Sequence, residues 1–128
     1  LIAAGICSET DDVMLTTNMI GDILSDLGGA LMGSLGLGPS GNINPERQYP
    51  SMFEPIHGSA PDIMGKGIAN PVSAIWSGAL MLEHLGEQAA ADRIVKAIFR
   101  VFKDGICTAD LGGKAKTKEM TDAILERL

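Results

Sequence analysis

Aromatic residues make up only 4% of this 128-residue chain, a scarcity that removes the stacking platforms on which single-stranded nucleic acids lie. Positive charge is scarce as well. Ten Lys and Arg stand against sixteen Asp and Glu for a formal net charge of −6, and only Lys114, Lys116 and Lys118 fall close together. Nucleic acid is therefore not an expected partner. No apolar run approaches the roughly 18 residues of a membrane span, and no charged-apolar-small leader opens the sequence, so no membrane partner is expected either. Two cysteines, Cys7 and Cys107, are too few for a disulfide framework and lack metal-ligand spacing. Reduced thiols in the cytoplasm are the expected state.

What the chain has in excess is glycine, with 16 residues gathered in loops. Its length suits one domain with a reasonable core. The opening residue is Leu1 rather than Met, and a strand-like run, Asp12 to Thr17, follows almost at once. The reading is of part of a longer protein. Asn18 is the expected N-cap of a helix that stops before Gly28 and Gly29. A glycine-rich loop from Gly28 to Ser51, a short strand at Met52 to Ile56 and a second loop from His57 to Gly67 follow. Asn70-Pro71 is a strong helix start, with apolar residues Val72, Ile75, Trp76, Ala79 and Leu80 at helical spacing and Gly86 as the stop. Trp76 and the methionines of this helix are expected in the core. A third helix is expected from Glu87 to Asp104 and a fourth, capped by Thr117, with the stripe Met120, Ile124 and Leu128. Helices on a few strands make the expected class α/β.

Two segments carry chemistry. In Gly21-Asp22-Ile23-Leu24-Ser25-Asp26, helical geometry sets the two aspartates only about 40° apart around the axis, away from the apolar side chains. Stacked like charges repel by a few tenths of a kcal/mol, which a cation would reverse. All-oxygen ligands favour Mg²⁺ or Mn²⁺ over zinc. The alternative is that Asp22 simply complements the helix macrodipole, which accounts poorly for Asp26 near the expected helix end. The second segment runs from Glu54 to Pro71. Its small residues permit close backbone approach, and His57, Asp62 and Asn70 offer an imidazole, a carboxylate and an amide to a nucleotide; the alternative is a solvated loop in which Asp62 and Asn70 cap local turns. By contrast Gly36-Leu37-Gly38-Pro39-Ser40-Gly41 spells G-x-G-x-x-G without its meaning. Pro39 removes an N–H, and no helix opens through it to meet phosphate.

Together, Asn18-x-x-Gly21-Asp22-x-x-Ser25-Asp26, the run Glu54 to Pro71 and Asp110-Leu111-Gly112-Gly113 resemble the β-decarboxylating dehydrogenases, in the right order over nearly the whole chain. Ser40 to Arg47 followed by Pro50 to Pro55 is most similar to the tartrate/D-malate branch. The resemblance implies the C-terminal portion of an isopropylmalate/isocitrate dehydrogenase-like fold over residues 1–128, incomplete relative to the family and without the Rossmann fingerprint, with Leu1 to Gly5 the tail of an interrupted helix. It implies that Asp22 and Asp26 bind Mn²⁺ or Mg²⁺. It also implies that Glu54, His57, Gly58, Ser59, Ala60, Asp62, Ile68, Asn70 and Asp110 serve a dinucleotide, NAD rather than NADP. Asp62 matches the acid that holds the adenosine ribose, and Ile63 supplies no basic partner for a 2′-phosphate.

The implied activity is oxidative decarboxylation of a small 2-hydroxy dicarboxylate of the tartrate/D-malate type by a homodimer. 3-Isopropylmalate dehydrogenase and a non-catalytic regulatory subunit are the alternatives. The family's catalytic lysine and tyrosine, its substrate-gripping arginines and a third metal aspartate have no match in these residues. No catalytic residue is expected here, and the fragment alone is expected to be inactive.

Overall fold

The computed structural model describes residues 15–128. Asp12 to Met14 of the expected first strand, the expected helix tail at Leu1 to Gly5, and Cys7 lie outside them. Helix α1 (Asn18–Leu31) is capped by Thr17, whose side chain accepts from the Ile20 N–H at 3.4 Å, not by Asn18. It also runs through Gly28 and Gly29 and ends only at Met32, followed by Gly33 at φ +99, a left-handed conformation that glycine adopts without steric cost. Asp26 is therefore mid-helix, and the expected end before Gly28 is corrected.

For Gly29 the role inside the helix is one of packing. A Cβ at Gly29 would lie 2.3 Å from Ile56 Cδ1, and one at Gly38 would lie 2.4 Å from the same atom. Ile56 is wedged between them, its N–H donating to Gly38 O at 3.1 Å. These glycines are close-approach positions that bring α1 against the chain entering His57.

The expected loop from Gly28 to Ser51 holds a 3-10 turn (Leu35–Leu37) and a strand, β1 (Pro39–Asn42). β1 pairs antiparallel with β2 (Met52–Pro55) in the register Pro39↔Pro55, Ser40↔Glu54, Gly41↔Phe53, Asn42↔Met52. The G-x-G-x-x-G letters thus end in a strand rather than opening a helix. The hairpin is tied to α2 (Val72–His84) by Ser73 Oγ donating to Gly38 O, by Arg47 Nη2 donating to His84 O at 2.7 Å, and by Phe53 against the His84 ring at 5.5 Å.

Helices α2, α3 (Gln88–Lys103) and α4 (Thr117–Leu125) enclose the core. Val72, Ala97, Ile98, Val101, Met120 and Ile124 are fully buried or within 1% of it. Each of the larger ones contributes about 1.5–3 kcal/mol of transfer free energy. Trp76 and Phe102 pack at the rim of this core instead of inside it, Trp76 meeting Phe99 edge-on at 5.7 Å. Met81, expected in the core, and Leu128, expected in the apolar stripe of the last helix, are exposed. Leu128 lies past the end of α4.

Thr117 is the first residue of α4 rather than its cap. Its N–H donates to Gly67 O and its hydroxyl to Ala69 O, stapling the second loop to the last helix. Gly86, at φ +90, ends α2 as expected. The observed class is α/β, helices with a two-stranded ribbon among the described residues.

Candidate functional site

Side chains alternate along β1 and β2, so the register places Ser40, Asn42, Glu54 and Met52 on one face of the ribbon, while Phe53 turns the other toward α2. α1 lies across the polar face. Between them opens a cleft of about 550 Å³ whose walls include Asp22, Ser25 and Asp26 of α1, Ser40, Asn42 and Glu54 of the ribbon, and His57 with Gly58. The two aspartates are exposed, and among the described residues neither joins an ion pair. Their helical spacing directs both into the same opening.

His57 also borders a second cleft, of about 480 Å³, lined by Leu35, Gly36, Ala60, Ile63, Ile68 and Ala69, with Ser34, Asn70 and Asp110 as its polar members. The imidazole Nδ1 lies 2.9 Å from Gly58 O. A carbonyl only accepts, so Nδ1 carries the hydrogen and a neutral ring leaves Nε2 free to accept. The loop reaches the second cleft through a strained residue: Ala60 sits at φ +45, a left-handed conformation that costs a non-glycine residue about 1 kcal/mol.

The polar end of the second cleft is a hydrogen-bonded cluster centred on Asp110. Its Oδ2 accepts from Ser34 Oγ at 2.5 Å and Asn70 Nδ2 at 2.9 Å, and its Oδ1 from Thr108 Oγ1 at 2.5 Å. Partial burial by itself would raise the Asp110 pKa. The hydrogen bonds from Ser34, Thr108 and Asn70, with one from its own backbone, together outweigh burial and hold it below the usual 3.8. Asn70 Oδ1 accepts the Val72 N–H at 3.0 Å, so its side chain caps the first N–H of α2, although the helix begins at Val72, one residue later than expected, with Pro71 at the N-cap position.

Of the residues singled out in the sequence, Asp22, Asp26, Glu54, His57 and Gly58 meet at the first cleft, and His57, Ala60, Ile68, Asn70 and Asp110 at the second. Ser59 and Asp62 line neither; Asp62 is exposed in a 3-10 turn (Pro61–Ile63). Ser34, Leu35 and Gly36 of the second cleft, and Ser40 and Asn42 of the first, were not singled out for chemistry. The one available signal was the Ser34 cap of the 3-10 turn, where Gly36 N donates to Ser34 Oγ at 3.0 Å.

Two carboxylates with serine and amide neighbours form an all-oxygen donor set suited to a hard divalent cation. Among the described residues no third His, Cys, Asp or Glu completes a cluster with them. As ligands they would account for two of the about six that Mg²⁺ or Mn²⁺ takes, which fits a site shared with substrate, water or protein from outside this chain.

The family model described as isocitrate/isopropylmalate dehydrogenase matches residues 6–124. A probable tartrate dehydrogenase/decarboxylase of Agrobacterium vitis is 60% identical over 117 residues, which is 91% of this chain and 33% of that protein. An isocitrate/homoisocitrate dehydrogenase of Thermus thermophilus is 56% identical over 120 residues, covering 94% of this chain and 35% of that protein. Among solved structures, an isocitrate dehydrogenase from Methylococcus capsulatus superposes with a TM-score of 0.82 at 50% identity, covering 88% of this chain and 33% of the other. The chain spans about a third of the length of these relatives. With two of its three core helices, its hairpin and both clefts inside the matched region, this chain belongs to the isocitrate/isopropylmalate dehydrogenase family.

Proposed function

We propose that these residues are the C-terminal third of an NAD-dependent oxidative decarboxylase of tartrate or D-malate that uses Mn²⁺ or Mg²⁺. The observation that carries the reading is the junction at His57: a polar cleft with two carboxylates on one side, an apolar cleft with a few polar groups on the other. That is the shape a metal-bound hydroxy acid next to a dinucleotide requires. The relatives named tartrate dehydrogenase/decarboxylase support the substrate class. The relative named isocitrate/homoisocitrate dehydrogenase, at 56% identity, favours a second reading in which the 2-hydroxy acid is longer.

In this reading Asp22 and Asp26 hold the cation at the mouth of the first cleft. The cation and NAD, when bound, supply Lewis acidity at the 2-hydroxyl and the hydride acceptor. Glu54 and His57 border the space between the two groups, and His57, anchored on Gly58 O, offers Nε2 to a donor there. Ala60, Ile68 and Asn70 enclose the adenosine end. Asp62, exposed in the neighbouring 3-10 turn, is the residue that would take the ribose hydroxyls, and a 2′-phosphate would meet its negative charge.

The catalytic acid and base come from outside this chain, so the fragment alone is inactive. The complete enzyme is a cytoplasmic homodimer. The exposed apolar face of α1, with Met19, Ile23, Leu27 and Leu31 each at least 47% accessible, supports further protein covering it. No helix among the described residues is long and apolar enough to cross a membrane.

The test is a steady-state comparison of the full-length protein with D-malate, tartrate, isocitrate, homoisocitrate and 3-isopropylmalate, NAD or NADP, and Mn²⁺ or Mg²⁺. The highest kcat/KM is expected for D-malate or tartrate with NAD. Preference for one of the longer acids would replace the substrate assignment, and absence of turnover with all of them would overturn the enzyme reading.

A further inference from the structure

Asn70 is committed at both ends of its amide. Oδ1 accepts from Val72 N–H at the start of α2, and Nδ2 donates to Asp110 Oδ2. Turning the amide over would set its NH₂ against the Val72 N–H and its oxygen against the carboxylate, two repulsive contacts in place of two hydrogen bonds. The amide therefore has one orientation, and it has one N–H left to offer the cleft it lines.

The Asp110 carboxylate is in the opposite condition. Its oxygens are engaged by Ser34, Asn70 and Thr108, three side chains from segments up to 76 residues apart in sequence. Space around the cluster is tight as well. A Cβ on Gly36 would lie 2.7 Å from Asn70 Cβ and 3.2 Å from Asp110 Oδ2.

From this geometry, and resting on the dinucleotide reading of the second cleft, we infer that Asp110 is a positioning residue that acts through Asn70. It is not a ligand of the nucleotide. By accepting from Nδ2 it locks the amide so that a hydrogen-bond donor, never the carbonyl oxygen, faces the bound base. By accepting from Ser34 it holds the Leu35–Gly36 wall at the matching distance. The chemistry recognised is a planar heterocycle that turns an acceptor nitrogen toward Asn70. What Asp110 contributes is acceptance rather than charge, because a single amide oxygen could serve both Ser34 and Asn70 while the Thr108 hydroxyl turns to accept.

The experiment titrates the full-length protein with ADP-ribose and, separately, with Mn²⁺. Asp110→Ala is expected to weaken ADP-ribose roughly tenfold and to leave the Mn²⁺ midpoint in place. Asp110→Asn is expected to restore affinity to within about twofold of wild type. In an Asn70→Ala background, Asp110→Ala should cost almost nothing further, since the residue it acts through is gone.

Asp110→Asn as damaging as Asp110→Ala, or additive losses in the double variant, would overturn the inference while leaving the dinucleotide reading intact. A wild-type protein without affinity for ADP-ribose would overturn that reading and the inference with it. If Asp110→Ala does not fold, Asp110→Asn and Ser34→Ala replace it. Ser34→Ala leaves the Asn70 bond in place and is expected to cost less than Asn70→Ala; an equal or larger loss overturns the inference.

Discussion

The two clefts that meet at His57 are built in opposite ways. Around Asp110 the side chains are wired to one another, and the cleft's polar groups have partners before any ligand arrives. Around Asp22 and Asp26 nothing of the kind exists among the described residues: two exposed carboxylates face an open polar space. The contrast extends to the scaffolds. α2, α3 and α4 bury a common core, whereas Gly29 is the one buried residue of α1. One cleft is organised from within the chain. The other, in the function proposed above, is half of a site that a cation, a substrate and further protein would complete.

Replacing Asp22 or Asp26 by Asn in the full-length enzyme is the hardest blow to the open cleft. Turnover should fall by about a hundredfold or more, because Lewis-acid stabilisation is worth several kcal/mol. ADP-ribose affinity should stay within about twofold, and a matching loss of that affinity would mean that the two clefts are not separable. Gly113→Ala attacks the wired side through its frame. The new Cβ would lie 1.9 Å from Cys107 O, beside the Thr108–Ala115 bridge, so a loss of about 2–3 kcal/mol is expected from urea midpoints.

Gly36→Ala should force Asn70 and Asp110 apart and weaken ADP-ribose roughly tenfold, with Mn²⁺ binding unchanged. Acid should distinguish the clefts more gently. The Asp110 pKa is lowered on folding, so its contribution is complete above the unfolded value near 3.9 and is lost as pH falls through the folded one. The stability gap between wild type and Asp110→Ala should be flat from about pH 5 to 7 and close below about pH 4. The smallest effect belongs to a surface pair. Removing Lys118, bonded to Asp122 one turn along α4, should leave the urea midpoint unchanged within error, because solvent screens an exposed pair.

What could be read from the residues divides along the same line. α2, α3 and α4 announce themselves by spacing and by local stops, because amphipathic period, Asn70 at a cap and Gly86 at an end are properties of a few consecutive residues. β1 did not, since Pro39-Ser40-Gly41-Asn42 has neither alternation nor strand propensity and is a strand only by virtue of its partner β2. Gly29 misled for a related reason: it receives Ile56, and nothing adjacent to it in sequence says so. The aspartate pair was legible because four residues is one helical turn. The Asp110 cluster was legible only as separate letters, for a contact between Ser34 and Asp110 spans 76 positions and has no local signature.

Ile56 between Gly29 and Gly38 has an evolutionary consequence. One side chain sets the thickness of the gap between the aspartate helix and the hairpin, so neither glycine can enlarge unless position 56 shrinks. Those three positions are expected to change together, since enlarging either glycine without shrinking position 56 would push the aspartate helix away from the hairpin.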